Sequence, residues 1–214
     1  MEDMLNKIIF CDFDGTVTKQ DTIDSLLEMY ANKEWHFYEE QWANNEIGSK
    51  ECLEKQIGCI DNFTSVDFQN FINTVEIDET FINFYKDVLE NKIPFYIISD
   101  GFRLIIESVF EKYNLPIPTI FSNEIVIENC NLIPSFPKSN PAKCLVKAGM
   151  CKCSVIELEK KEIVYIGDGR SDLCASRLVK TLFAKGKLQT LCQEINRDYI
   201  PFTNFLEIQN CYLK

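Results

Sequence analysis

The sequence predicts an α/β fold: a doubly wound, mostly parallel sheet with an inserted helical cap and a β-hairpin. Three observations predict it. Residues 8–13 (IIFCDF), 94–99 (PFYIIS), 163–167 (IVYIG) and 181–184 (TLFA) form short apolar runs. Their hydrophobicity is continuous rather than alternating, as expected of strands covered on both faces in a parallel sheet. Helical patterns at residues 102–113 and 171–180 lie between these runs, completing the β-α alternation. Finally, residues 20–90 contain no comparable run and read as helices, too long a stretch for a simple loop inside a compact domain.

Taken in order, the first run ends in Asp12 and Asp14 with only Phe13 between them. Strand alternation would place both carboxylates on one side, where the apolar run meets a loop. The helical stretch follows, with helices expected over 22–31, 34–45, 49–58 and 66–75. It leaves and re-enters the sheet near the strand end, which suits a cap, so residues 1–19 and 91–214 are assigned to the core and 20–90 to the cap. The second run ends at Ser99, followed by Asp100 and Gly101. A hairpin is expected over 119–136, turning at 128–131. Lys152 opens a helix leading into the third run, which closes on Asp168 and Asp172. Open sheets of this kind bind ligands beyond the carboxyl ends of their strands, where all three polar clusters fall.

Composition narrows the function. The 214 residues are 46% hydrophobic and carry a formal charge of −11, with 22 basic against 33 acidic residues. Without a dense Lys/Arg block, nucleic acid is not an expected partner. No apolar stretch approaches the ~20 residues of a membrane span. The opening MEDMLNK is not a secretory signal, so a cytoplasmic location is expected and the ten cysteines read as free thiols. Cys144, Cys151 and Cys153, with Cys130, are candidates for a zinc site. Their C-x6-C and C-x-C spacings differ from the paired C-x2-C of common zinc sites, which favours thiols. His36, the only histidine, is read as a helix-surface or packing residue, and Trp35, Phe37, Tyr38 and Trp42 as the cap's own core, with one or two of them as alternatives for facing an apolar substrate tail.

The three clusters support one chemistry. A carboxylate can attack phosphorus while a second, protonated carboxyl two residues on gives its proton to the leaving alkoxide. Asp12 and Asp14 supply that pair. Several carboxylates around an anionic substrate need a hard divalent cation with oxygen ligands, Mg²⁺ being the expected one. Ser99 and Lys152 would hold the phosphoryl oxygens. Lys143 and Lys147 compete with Lys152 and are read as surface charge.

The DxDGT opening at Asp12 to Thr16, the Ser after a second strand, the lone Lys and the GDGxxD close resemble the haloacid dehalogenase-like phosphatase superfamily. That resemblance implies a Rossmann-like core, with Asp12 as nucleophile, Asp14 as general acid/base and Thr16 orienting the Asp14 carboxyl. It implies a metal held by Asp12, the Asp14 backbone carbonyl and Asp168, with Asp172 as outer partner. An acid at position 14 favours phosphoryl transfer over dehalogenation, because a halide leaves unprotonated. Ser171 stands where many phosphatase members have Asn. The cap placement resembles the phosphoserine phosphatase subgroup, whose amine-reading Glu and carboxylate-binding Arg correspond to Asp21 and Glu54. A carboxylate facing a carboxylate disfavours phosphoserine. Glu34-Trp35, the Lys50-Glu51 run to Gly58, IPFYIIS, the approach to Lys152 and the DYIPFTNFLEI tail resemble the methionine-salvage phosphatases acting on 2-hydroxy-3-keto-5-methylthiopentenyl 1-phosphate. Asp100 replaces a Gly of their Ser-Gly-Gly turn.

The resemblance thus implies a Mg²⁺-dependent phosphomonoesterase, monomer or homodimer, acting on a small-molecule phosphate ester. Ser99, Asp100, Gly101, Lys152 and Asp21 are its expected substrate contacts. The alternatives are phosphoserine, phosphoethanolamine or pyridoxal phosphate as substrate, phosphotransfer to another acceptor, or a catalytically silent binding protein.

Overall fold

The computed structural model describes residues 7–137, 144 and 146–213. At its centre lies β1 (Lys7–Cys11), paired in parallel with β2 (Phe95–Phe102) on one side and β5 (Glu162–Gly167) on the other. Beyond β2 come β3 (Thr119–Glu128) and β4 (Asn131–Ser135), the expected hairpin and the sheet's one antiparallel pair. Beyond β5 come β6 (Thr181–Ala184) and β7 (Ile200–Pro201), so the seven strands run β4-β3-β2-β1-β5-β6-β7. Chain order runs outward in both directions from β1, which makes its carboxyl end the topological switch point.

Alternation along β1 feeds two separate cores. Ile9 and Cys11 join the cluster containing Phe81, Phe95, Phe110 and Phe205. Ile8 and Phe10 join the opposite one, with Met150, Ile156, Ala175 and Leu188. A strand that buries both faces needs the continuous apolar run seen in its sequence.

Between β1 and β2 lie five helices: α1 (Thr22–Tyr30), α2 (Trp35–Ala43), α3 (Ser49–Ile57), α4 (Ser65–Thr74) and α5 (Glu79–Glu90). Asp21 caps α1, Thr64 and Asp67 form a capping box on α4, and Asp78 caps α5. The chain leaves and returns through one neck, where Thr18 and Ile77 form an antiparallel bridge and Lys19 N donates to Glu76 O at 2.9 Å. The last helix of the expected 20–90 cap sits on the sheet side of this neck. Phe81 meets Phe205 at 5.0 Å and Tyr85 meets Phe95 at 5.0 Å between ring centroids.

Two other elements differ from expectation. β2 continues past Ser99 to Phe102, with a register shift against β3 between Ile98 and Phe102 that turns Ser99 to Gly101 out of regular pairing. The helix expected over 171–180 is only α8 (Leu173–Ser176), preceded by a 3₁₀ turn. Arg197 explains the early stop: its guanidinium donates to the Ser176 carbonyl at 2.9 Å and the Val179 carbonyl at 2.5 Å. The core is completed by α6 (Arg103–Lys112), α7 (Lys152–Ile156), α9 (Gly186–Glu194) and α10 (Phe205–Ile208). Among the described residues no helix is long and apolar enough to cross a membrane.

Candidate active site

Strand pairing carries Asp12 into position: its N–H donates to Ile166 O at 2.9 Å, one bond beyond the end of β1. The chain then turns. Phe13 O accepts from the N–H groups of Thr16, Val17 and Thr18 at 2.9 to 3.2 Å, so Asp14 reaches the cleft by a tight turn and not by strand alternation. Gly15 permits that turn with φ +69°, and a Cβ there would lie 2.5 Å from Asp168 Oδ2.

Asp12 is 4% exposed, and its Oδ1 accepts from Phe13 N at 2.7 Å and pairs with Lys152 Nζ at 2.8 Å. Lys152, at the start of α7, also donates to Asp172 Oδ1 at 2.7 Å. Asp172 is fully buried and further accepts from Tyr165 OH at 2.5 Å and from the N–H groups of Asp168 and Gly169 at 3.1 and 3.0 Å. Burial works to raise the Asp172 carboxyl, but the Lys152 charge and these donors outweigh it and hold it below the usual range. Asp12 is pushed well above that range, by burial first and then by the Asp172 charge. Lys152 is raised despite its burial, because two carboxylates flank it.

Asp14 has different partners. Its Oδ1 accepts from Thr22 N at 3.1 Å and from the Thr22 hydroxyl, and its Oδ2 accepts from Ser99 Oγ at 2.9 Å. Gly101 N donates to Ser99 Oγ at 2.8 Å, and a Cβ on Gly101 would overlap Asp14 Oδ2. Thr16 does not reach Asp14: its hydroxyl donates to Asp168 Oδ1 at 2.7 Å. Thr22, the first residue of α1, takes the orienting position expected of Thr16, because the turn swings the Asp14 side chain toward the incoming helix.

Asp100 lines the cleft, yet both its oxygens are engaged by protein. Oδ2 accepts from Ser49 Oγ of α3 at 2.6 Å, and Oδ1 accepts from Met150 N at 2.8 Å and Asn123 Nδ2 at 3.0 Å. Asp21 also lines the cleft while its Oδ1 caps α1 through Ile23 N at 2.8 Å and Asp24 N at 3.1 Å. Glu54 is exposed, 3.9 Å from Lys50 and outside the cleft lining; Leu53 and Gln56 of the same helix face the cleft instead. The repulsion argument against phosphoserine therefore loses its second carboxylate. Lys147 is exposed, and Lys143 lies outside the described residues. His36 is exposed and stacked on Trp35, Phe37 is exposed rather than part of a cap core, and Trp42 lines the cleft.

Sequence reasoning passes over Arg170, the first of the two unspecified positions in the GDGxxD pattern. It donates to Trp42 O at 3.3 Å, hydrogen-bonds Asn45 Oδ1 and stacks its guanidinium 5.0 Å from the Trp42 ring centroid. Ser49 N to Val146 O at 3.0 Å and Lys50 N to Lys147 O at 3.1 Å make a second clasp between the helical insert and the core. Neither clasp has a local signature, since its halves lie about a hundred residues apart.

The cleft measures about 320 Å³. Carboxylate oxygens of Asp12, Asp168 and Asp172 lie within 4.8 Å of one another. Such hard oxygen donors suit Mg²⁺. Asp172 already serves four donors, which leaves Asp12 and Asp168 as the better direct ligands. Burial and the Asp172 charge push Asp168 up to about 6, so the group of carboxylates carries an uncompensated demand for positive charge.

Comparison with known proteins supplies relatives. A family model for haloacid dehalogenase-like hydrolases matches residues 9–177. A Bacillus velezensis protein named 2-hydroxy-3-keto-5-methylthiopentenyl-1-phosphate phosphatase is 30% identical, covering 94% of this chain and 88% of that protein. A Bacillus cereus protein of the same name is 31% identical, covering 94% of each. Among solved structures, a phospho-aspartyl intermediate analogue of phosphoserine phosphatase aligns with a TM-score of 0.71 over 97% of this chain and 99% of that one, at 16% identity. A phosphoserine phosphohydrolase-like protein from Francisella tularensis aligns with a TM-score of 0.71 over 96% and 99%, at 18% identity. These structural likenesses establish a shared fold.

Proposed function

The chain belongs to the haloacid dehalogenase-like hydrolase family, and from that membership we propose a metal-dependent phosphomonoesterase working through an aspartyl phosphate. The observation that carries this reading is the meeting of Asp12, Asp14, Lys152 and Asp168 at the carboxyl end of the central strand.

Asp12 Oδ1 is held by Phe13 N and Lys152. Its Oδ2, with no hydrogen bond among the described residues, is the attacking oxygen. It forms a bond to phosphorus as the bond from phosphorus to the ester oxygen breaks, and Asp14 delivers its proton to the departing alkoxide. Water then attacks phosphorus, its proton passes to the Asp14 carboxylate, and phosphate departs with Asp12 restored. Thr22 and Ser99 hold opposite oxygens of Asp14, fixing the carboxyl plane for both transfers. Lys152, anchored on Asp172, offers its charge to the phosphoryl oxygens beside Asp12. Mg²⁺, when held by Asp12, Asp168 and the Asp14 backbone carbonyl, would neutralise the charge gathered on the transferring group.

The substrate we propose is 2-hydroxy-3-keto-5-methylthiopentenyl 1-phosphate, for which the relatives at 30 and 31% identity are named. Ile23, Trp42 and Leu53 line the cleft and offer apolar contact to a thioether tail. A second reading rests on Asp21, Asp24 and Glu39 in the same wall, which suit a phosphate ester bearing an ammonium group, such as phosphoethanolamine.

Phosphate release from both esters, phosphoserine and pyridoxal phosphate, with Mg²⁺ or a chelator, tests these readings. Turnover that needs Mg²⁺ and falls at least about 10⁴-fold in Asp12→Asn is expected. Release unaffected by Asp12→Asn sinks the mechanism. A preference for phosphoethanolamine transfers the substrate assignment to the second reading.

A further inference from the structure

Behind the phosphate end of the cleft, Cys144, Cys151, Cys153 and Cys174 form one buried cluster with Ala148 and Val146. They arrive from three segments: the loop before α7, the start of α7 and α8. The sulfurs of Cys144, Cys151 and Cys153 lie within 4.8 Å of one another, with Cys151 and Cys153 Sγ 3.5 Å apart. The Cys174 side chain hydrogen-bonds that of Cys144. All four are thiols outside any disulfide, between 0 and 9% exposed.

An apolar core does not require four thiols at one point, since Ala or Val would fill it as well. A soft metal ion does. Four thiolates around Zn²⁺ at about 2.3 Å have sulfur–sulfur edges of about 3.8 Å; the Cys144, Cys151 and Cys153 sulfurs, within 4.8 Å of one another, are close to that size, and Cys174 reaches the trio through Cys144. Cys144 Sγ accepts from Ala148 N at 3.4 Å and also from the Val146 backbone, across a turn in which Lys147 has φ +48°. Backbone donors aimed at a ligand sulfur orient it and favour its thiolate; in the metal-free chain the Cys174 hydrogen bond and burial outweigh them and push the Cys144 thiol up. Cys151 Sγ contacts Ser154 Oγ at 2.9 Å. The pattern C-x6-C-x-C-x20-C has no paired C-x2-C, which is why spacing favours free thiols. Cys130, the fourth candidate by sequence, is exposed in the hairpin turn, and Cys174 stands in its place.

We propose that Cys144, Cys151, Cys153 and Cys174 bind a structural Zn²⁺. Four S–H bonds give up protons as four Zn–S bonds form, with no change of oxidation state. Four sulfur ligands leave no open position, so the ion has a structural role. Its place in the chain defines that role, because Lys152 lies between two ligands and Cys174 follows Asp172 by two residues. The ion ties together the two segments that hold the Lys152–Asp172 pair. The oxygen trio and the sulfur cluster then select different metals by ligand softness.

The test is titration of the reduced, metal-free full chain with Co²⁺ in excess Mg²⁺, followed by Zn²⁺. One Co²⁺ per chain is expected, with sulfur-to-cobalt charge-transfer absorption and the intense d–d bands of a tetrahedral thiolate, all lost on adding one equivalent of Zn²⁺. Cys153→Ser and Cys174→Ser should abolish the charge-transfer band. Cys130→Ser and Asp168→Asn should keep it, which separates this site from the carboxylates. A wild-type chain whose ten cysteines all titrate as thiols after unfolding and that shows no such band when native overturns the proposal. So does a band that survives both Cys153→Ser and Cys174→Ser. The wild-type spectrum decides the matter alone if the serine variants do not fold.

Discussion

At the floor of the cleft Lys152 is shared between Asp12 and Asp172 at 2.8 and 2.7 Å. On the wall, Asp21, Asp24 and Glu39 line the same space with no lysine or arginine paired to them among the described residues. The floor is buried, its lysine shared between two carboxylates, with the demand of Asp168 left for a cation. The wall is an unbalanced cluster of carboxylates carried by helices of the insert, with Trp42, Ile23 and Leu53 among them. The difference separates two roles. Chemistry on phosphorus requires groups whose geometry and charge are fixed before substrate arrives. Selection of a leaving group requires a surface whose remaining demand for charge or apolar contact is met by that group.

Removing the floor's cation should produce the largest effect. Lys152→Met leaves Asp12 and Asp172 buried without their shared partner, at a cost of about 3–5 kcal/mol in stability. Turnover should fall about 10²- to 10³-fold in the folded fraction, with the larger loss in kcat. Thermal unfolding and steady-state kinetics on the same preparation check both parts. A variant with wild-type kcat would mean that the floor is a structural ion pair only.

Gly101→Ala is a sharper probe of geometry, because the added methyl overlaps Asp14 Oδ2 and sits 3.1 Å from Ser99 Oγ. A drop of about 10- to 100-fold in kcat with KM little changed is expected, since the proton-transfer group is displaced and the wall is untouched. An effect confined to KM would place Gly101 in substrate binding instead.

The wall should show itself through pH. Burial, then the charges of Glu39, Asp14 and Glu28, push Asp24 up to about 6. A carboxyl whose folded-state pKa lies above its unfolded value binds a proton more tightly when folded. Its favourable contribution is complete below the unfolded value and is lost as pH rises through about 6. Asp24→Asn should therefore flatten the decline in melting temperature between about pH 4 and about pH 6, while changing kcat less than the floor variants do. Equal pH profiles for the variant and wild type would show that the wall carboxylates do not strain one another. Addition of the preferred substrate's amine-bearing product should steepen the contrast only under the second substrate reading.

Much of the floor is legible in the sequence. The apolar run into Asp12, the GDGxxD close and the lone Lys before the last motif strand mark groups that strand ends bring together, and these are local signals. The wall is less legible. Glu54, which the resemblance to the phosphoserine subgroup points to, lies outside the cleft, and Phe37, which helical spacing assigns to a cap core, is exposed. Helix periodicity identifies a face without saying what that face meets. Spacing discounts the sulfur cluster for the same reason, because Cys174 joins it from 21 residues beyond Cys153.

By itself the sequence determined the parallel sheet, the place of the helical insertion and the acidic groups at the switch point. Burial on both strand faces and turn chemistry at strand ends leave their mark on consecutive residues. Tertiary structure alone decided that Thr22 rather than Thr16 holds Asp14, that Asp100 ties α3 to the core, and that Arg170 clasps Trp42. Each of these depends on where an inserted helix docks, and docking is set by contacts between residues far apart in the chain, which no local pattern encodes.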